Sequence, residues 1–253
     1  MRVSAFFSTL ALCAAALHAQ DPGTRVVPGS GVIDTPGRYV LNNEANLRSH
    51  GASILITASN VWLNLNGNTI MGPGGKNGVG VHIRGVSGVH VSNGFIVNNA
   101  FGVVVENSNN VSLTGLQIRG EGLTVTAPPP ETGIMILQSR NVAVRNNQIY
   151  NTGLGIFVRG GRSSGNHLSG NVISGGTNAI LGICYNPSDS DPNGPRGDLV
   201  EGNLVSGFNI GIQFSERSMA NVLSGNTVAY RTMALDIRNN TNKEQNTTSV
   251  QIP

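Results

Sequence analysis

Three groups of side chains in this sequence have types and spacings suited to chemistry. Lys76, His82 and Arg84 fall in one short stretch, with His90 on the segment that follows. A basic side chain and an imidazole can act as base and acid in proton transfer. These are the candidate catalytic residues, although ordinary surface residues are the plainer expectation for such types. A second group is Met135, Phe157, Arg159, Tyr185 and Gln213. Aromatic rings can stack on sugar faces, and a guanidinium or an amide can hold carboxylates or hydroxyls. These five are the candidate ligand-binding residues.

The third group is a run of oxygen donors, Asp189-Ser190-Asp191-Pro192-Asn193-Gly194. Donors at alternate positions with Gly at the sixth is how an EF-hand calcium loop begins. The twelfth position, where a bidentate Glu belongs, is Val200, and Glu201 comes one place late. Asp198 is the remaining donor for a different cage. An ordinary Asp/Pro/Gly turn is expected, with Ca²⁺ held by Asp189, Asp191, Asn193 and Asp198 as the alternative. No other cofactor is implied.

The elements that position these residues repeat. A four-residue strand core appears as Gly80-Val81-His82-Ile83, Gly102-Val103-Val104-Val105, Gly133-Ile134-Met135-Ile136 and Gly155-Ile156-Phe157-Val158. Ala179-Ile180-Leu181 reads as a looser copy. Gly211-Ile212-Gln213-Phe214 and Ala234-Leu235-Asp236-Ile237 follow. The unit is about 22 residues, and two steps carry an excess of about nine, read as loops. A second strand follows in the same frame, as in Leu63-Asn64-Leu65 and Val142-Ala143-Val144. Two residues after its inner apolar residue stands Gly67, Asn93, Gly115, Asn146, Gly170, Gly202 or Gly225. Gly and Asn visit left-handed backbone angles cheaply, so one tight corner recurs in every unit. Asn68, Asn147, Asn171, Asn203 and Asn226 come next and can hydrogen-bond along a stack. A third apolar position follows, Ile70 through Val228.

The apolar residues alternate with period two, and Gly and Asn are too dense for helices. The units run head to tail, which excludes hairpins. The expected fold is all-β, a right-handed parallel β-helix: a single-stranded solenoid of about eight coils, each about 4.8 Å from the last. Alternation turns Val81 and Ile83 inward and His82 outward. The outward row is then His82, Val104, Met135, Phe157, Leu181, Gln213 and Asp236. Beside it run Arg84, Glu106, Leu137, Arg159, Ser215 and Arg238. Insertions at 72–77 and 121–131 precede strands of this sheet, and the one at 184–197 follows a strand. They rise on opposite sides and frame a groove, unless they fold down over Met135 and Phe157.

The Asn-Val-x-Leu/Val-x-Gly/Asn-Asn-x-Ile pattern of Asn141 to Ile149 and Asn221 to Val228 resembles the repeats of the pectate-lyase-like superfamily, including NosD-like proteins. The resemblance covers about residues 37 to 238. It is specific for fold and weak for activity, since lyases, hydrolases, epimerases and non-enzymes share it. It implies that a lyase here needs a base and a means of neutralising a carboxylate, roles for Lys76, His82 and Arg84. Glycoside hydrolysis needs convergent carboxylates, and Asp236 and Glu106 lie several coils apart. The Asp-Pro-His motif that resembles alginate epimerases is absent. No Cys/Met/His cluster supports copper.

Residues 1–19, with Arg2 and the apolar stretch from Phe6 to Leu17, are expected to be a signal peptide cut after Ala19. Residues 20–52 form an N-terminal cap segment, 53–238 the β-helix, and 239–253 a tail or last worn coil. Export is expected, secreted or periplasmic, with no membrane span after cleavage. The full chain holds 16 Lys and Arg against 13 Asp and Glu, and Lys only at 76 and 243. With no dense basic stretch, nucleic acid is not an expected partner. Cys184 is the one cysteine beyond the signal, a quiet residue at a strand end. The expected function is recognition of polysaccharide along the groove, with catalysis not evident. The alternatives are a polysaccharide lyase and a non-catalytic structural or surface-assembly module. The sequence sets no oligomeric state.

Overall fold

A computed structural model describes residues 23–27, 29–43, 45–46, 51–74, 77–122, 131–189 and 191–253. The expected signal peptide, Lys76 and the Pro128 to Pro130 run lie outside the described residues. The chain winds as a right-handed parallel β-helix of about 8 turns, all β, with no helix among the described residues. No helix among the described residues is long and apolar enough to cross a membrane.

Each coil contributes to three parallel ladders. The first sheet stacks Gly31–Ile33, Ala52–Ile56, Val79–Arg84, Phe101–Glu106, Thr132–Leu137, Leu154–Arg159 and Leu181–Asn186. It ends with the second halves of Leu204–Phe214 and Thr227–Ile237. The second sheet runs from Thr24–Val27 and Gly37–Leu41 through Val61–Asn64 and Arg140–Arg145 to Lys243–Gln245. The third runs from Ala45–Asn46 through Gln148–Thr152 to Thr248–Gln251. Backbone groups of each coil are therefore satisfied by the coils above and below, which lets so narrow a core be stable.

The inward residues form an aliphatic column. Ile54, Val81, Val103, Ile134, Ile156, Ile183 and Ile212 are fully buried along the first sheet. The glycine that opens each strand core is there for space. A Cβ on Gly155 would collide with the Gly182 carbonyl and Ile173 Cγ2, and Gly102, Gly133, Gly182 and Gly211 are as tightly met. The recurring Gly/Asn corner is left-handed throughout: φ is 72° at Gly67, 58° at Asn93, 54° at Asn146 and 62° at Gly170.

Buried polar side chains form ladders on the inside of two corners. Asn147 donates from its backbone amide and Nδ2 to Asn171 Oδ1, at 3.0 and 3.1 Å. Asn171 repeats this to Asn203, and Asn203 to Asn226. Each Nδ2 also donates to a carbonyl of the preceding coil, as Asn171 does to Val144. A second ladder runs Asn166, Asp198, Asn221, Asn242.

The register corrects one part of the sequence pattern. Ala179 to Leu181 is not the strand core. Gly182-Ile183-Cys184-Tyr185 is, with Cys184 opposite Phe157 and Tyr185 opposite Val158. Cys184 takes the outward place expected for Leu181, and Tyr185 turns into the core. Its ring meets Phe214 of the next coil edge-on, centroids 4.6 Å apart.

Candidate functional site

The register sets His82, Val104, Met135, Phe157, Cys184, Gln213 and Asp236 in line on the outer face of the first sheet. Arg84, Glu106, Leu137 and Arg159 run beside them. Strand pairing alone brings Met135, Phe157, Arg159 and Gln213 together. The Arg159 guanidinium lies over the Phe157 ring, 5.3 Å from its centroid. Its Nη2 reaches Asp189 Oδ1 at 3.1 Å, while the Asp189 side chain is 98% exposed. Arg159 Nε is buried and has no hydrogen-bond partner.

A polar chain continues along the face. Asn186 Nδ2 donates to Cys184 Sγ at 3.2 Å, and Sγ faces Gln213 Oε1 at 3.5 Å. Gln213 Nε2 donates to Asp236 Oδ2 at 2.8 Å, and Arg238 holds the same carboxylate with Nε and Nη2. The Arg238 hydrogen bond is the main reason the Asp236 carboxyl sits below the usual range, with Gln213 adding to it. Burial pushes the Cys184 thiol up to about 12 against the opposing charge of Arg159. Cys184 is thus a sealed spacer in mid-face, not a residue at a strand end.

Tyr185, expected to stack on a sugar, is fully buried in the core and out of reach of the face. Burial first, and the Asp198 charge second, push its hydroxyl well above its usual value, although no acceptor forms a well-made hydrogen bond to it.

At the other end of the face, His82 Nε2 lies 2.9 Å from Glu106 Oε2. Two positions further along the strand, Arg84 stands opposite Glu106. His90 is not part of this group. It belongs to the second sheet, stacked under Trp62 with centroids 5.5 Å apart and planes 7° off parallel.

The four donors of the alternative calcium cage each have other partners. Asp189 turns to Arg159. Asp191 Oδ1 accepts from the Asn193 amide at 3.0 Å and from its Nδ2 at 2.9 Å, and the amide bond chiefly holds its carboxyl low. Asn193 is thereby a donor to Asp191. Asp198 is corrected from a loop ligand to a rung of the second ladder, 1% exposed.

Two outer-face groups on the second sheet were missed by the sequence reading. Arg38 lies over Trp62, 5.9 Å from the ring centroid, so the indole is faced by Arg38 on one side and His90 on the other. His167 Nε2 meets Glu201 Oε1 at 2.7 Å and its Nδ1 meets Arg145 Nη2 at 3.0 Å. Arginine only donates, so Nδ1 accepts and the proton sits on Nε2. The signal was available: Trp62 precedes inward Leu63 and His167 precedes inward Leu168, so both must face out.

A family model described as periplasmic copper-binding protein (NosD) matches residues 55–248. The chain belongs to the NosD family. No curated protein sequence matches it. The NosD-family coil stack is similar to several solved structures. The bacteriophage CBA120 tailspike protein 2 enzymatically active domain has TM-score 0.59 at 12% identity, with 90% of this chain and 38% of that one covered. The Dettilon tailspike protein has TM-score 0.55 at 13% identity, covering 90% and 55%. An exopolygalacturonase from Thermotoga maritima has TM-score 0.51 at 14% identity, covering 84% and 55%. The chain spans about half or less of these proteins' length, and the likeness is one of fold.

The NosD description names copper. Copper favours thiolate, thioether and imidazole donors gathered within one coordination sphere. Cys184 is sealed and protonated, His82 is on Glu106, His90 is under Trp62, and His167 has both nitrogens engaged. Among the described residues no three His, Cys, Asp or Glu gather to hold a metal. The described side chains do not fit a copper site.

Proposed function

We propose that this NosD-family protein is exported and recognises polysaccharide along the outer face of its first sheet. The observation that carries the reading is Arg159 over Phe157. An apolar ring beside a guanidinium that Asp189 engages through Nη2 alone suits the apolar face and the carboxylate or hydroxyls of a sugar. Met135 and Gln213 extend the same row. An exopolygalacturonase built on the same coil stack is in keeping with a glycan ligand. The test is retention on a glycan panel, with and without Ca²⁺. Phe157→Ala and Arg159→Ala weaken retention of whichever glycan binds. Unchanged retention in both variants overturns the reading.

A polysaccharide lyase is the second reading, and the His82–Glu106 pair favours it. With Nε2–H on the carboxylate, Nδ1 is left as a base. It would take the proton beside a uronate carboxylate; the C–O bond to the leaving sugar breaks as C=C forms, and water protonates the leaving oxygen. Unsaturated products from pectate or alginate, absorbing in the ultraviolet and lost in His82→Gln, are the expected result. No product on either polymer removes this reading and leaves the first intact.

A further inference from the structure

At the corner between the first and second sheets, Asn107, Ser108, Asn109, Gln138, Arg140 and Arg162 line a concave pocket of about 290 Å³. No carboxylate lines it. Arg140 Nε donates to the Arg162 carbonyl at 3.2 Å, which holds the first guanidinium against the next coil. The Arg162 backbone amide is fixed by Gln138 Oε1 at 3.0 Å, and Gln138 is itself anchored by Ser188 Oγ at 3.0 Å. Neither guanidinium has an ion-pair partner among the described residues, where Arg159 and Arg238 each do. Asp191, which accepts from Asn193 and from the side chain of the lining residue Gln138, is a charged carboxylate beside the pocket but not in its lining.

The corner stays basic further along the rod. Arg196 is bridged to Ser164, which is bridged to Arg140, so the two arginines share one stack position. Arg217, in the following coil, spends Nη1 on the Pro192 carbonyl. Exposed guanidiniums on neighbouring coils repel one another weakly through water, and an anion between them relieves that repulsion. A lone carboxylate matches one guanidinium. A tetrahedral oxyanion offers three oxygens and can serve two at once.

We infer that this corner is a binding site for a tetrahedral oxyanion, a phosphate or a sulfate ester, held between Arg140 and Arg162. The pocket adjoins the groove, since Gln138 follows Leu137 of the outer face, yet it uses none of that face's residues. An ester-bearing glycan could therefore meet both. The corner site stands whether or not the groove binds sugar.

The test is calorimetry at low salt with inorganic phosphate, dextran sulfate and unsubstituted dextran as probes. Phosphate or dextran sulfate binds, and the double variant Arg140→Gln/Arg162→Gln loses about tenfold or more in affinity, because charge-assisted bonds are removed. Arg119→Gln/Lys243→Gln removes the same charge elsewhere and leaves binding within about twofold. Tighter binding of the polymer than of phosphate assigns an ester-bearing chain; equal binding assigns the free ion. Phe157→Ala leaves phosphate binding unchanged, which separates this site from the groove. The inference is overturned if neither anion binds, if unsubstituted dextran binds as well as dextran sulfate, or if the control pair loses as much as the corner pair.

Discussion

Asp198 accepts both amides of Asn166, the backbone N–H on Oδ1 and the side-chain Nδ2 on Oδ2, each at 2.9 Å. Every other rung of that ladder is an asparagine. Burial pushes the Asp198 carboxyl from 3.8 up to about 6, partly offset by the Asn166 bonds. The folded chain thus holds this proton more tightly than the unfolded chain. Stability is then fully present below about pH 4, is lost as pH rises through about 6, and is level above that. The difference corresponds to on the order of 3 kcal/mol. Asp198→Asn restores a neutral rung whose Nδ2 can donate to Asn221 Oδ1 and, by the pattern of the other rungs, to the Ser163 carbonyl. Urea unfolding at pH 7.5 is expected to show a more stable variant, and the acid-side gain of the parent is expected to vanish. A variant less stable than the parent at pH 7.5 contradicts this account.

The uninterrupted ladder predicts the opposite response. Asn171 Oδ1 accepts from Asn147 N and Nδ2, and its own Nδ2 serves Val144 O and Asn203 Oδ1. Asn171→Ala strands several buried polar groups at about 1–3 kcal/mol each, so a loss of at least about 3 kcal/mol is expected by chemical denaturation. Asn146→Gly, at the same corner of the preceding coil and at φ 54°, removes no ladder bond and should cost far less. Equal losses in the two variants would mean the ladder adds nothing beyond the corner.

The repeat and its corner were legible because the backbone dictates them. Left-handed φ admits Gly and Asn, and crowding under Ile173 admits only Gly at 155. The strand at 181–186 was not legible. Ile180 and Ile183 both sit in alternating runs, and only stacking on Phe157 and Gln213 decides between them. An interior tyrosine is tolerated there because Phe214 lies in the next coil. Asp198 read as a loop ligand because its neighbours are Asp, Pro and Gly. Its spacing told otherwise: it stands two before inward Val200, as Asn166 does before Leu168 and Asn221 before Leu223. The candidate face was legible in its alternation, while the ion pairs on it depend on where Asp189 and Glu106 come to rest.

Asp189 competes with any anionic ligand for Arg159. Its side chain is 98% exposed and bonds Nη2 alone, so its ion pair adds little to stability. Asp189→Asn is expected to leave the melting temperature unchanged and to strengthen retention on whichever acidic glycan the protein binds, most clearly at low salt. Neutral glycans should be unaffected. Weaker retention of the acidic glycan would place Asp189 among the ligand's partners instead.

Cys184 lies in the middle of the candidate face, yet it should be chemically silent. The thiolate is the reactive form, and burial holds this thiol near 12, so almost none is ionised at neutral pH. Its sulfur is also enclosed by Asn186 and Gln213. Iodoacetamide at pH 8 is expected to leave the folded protein unlabelled over hours and to label it within minutes in guanidinium, read by intact mass. Gln213→Ala opens one side of that enclosure and should admit the reagent in the folded state. Rapid labelling of the unaltered folded protein would show that the face opens around Cys184.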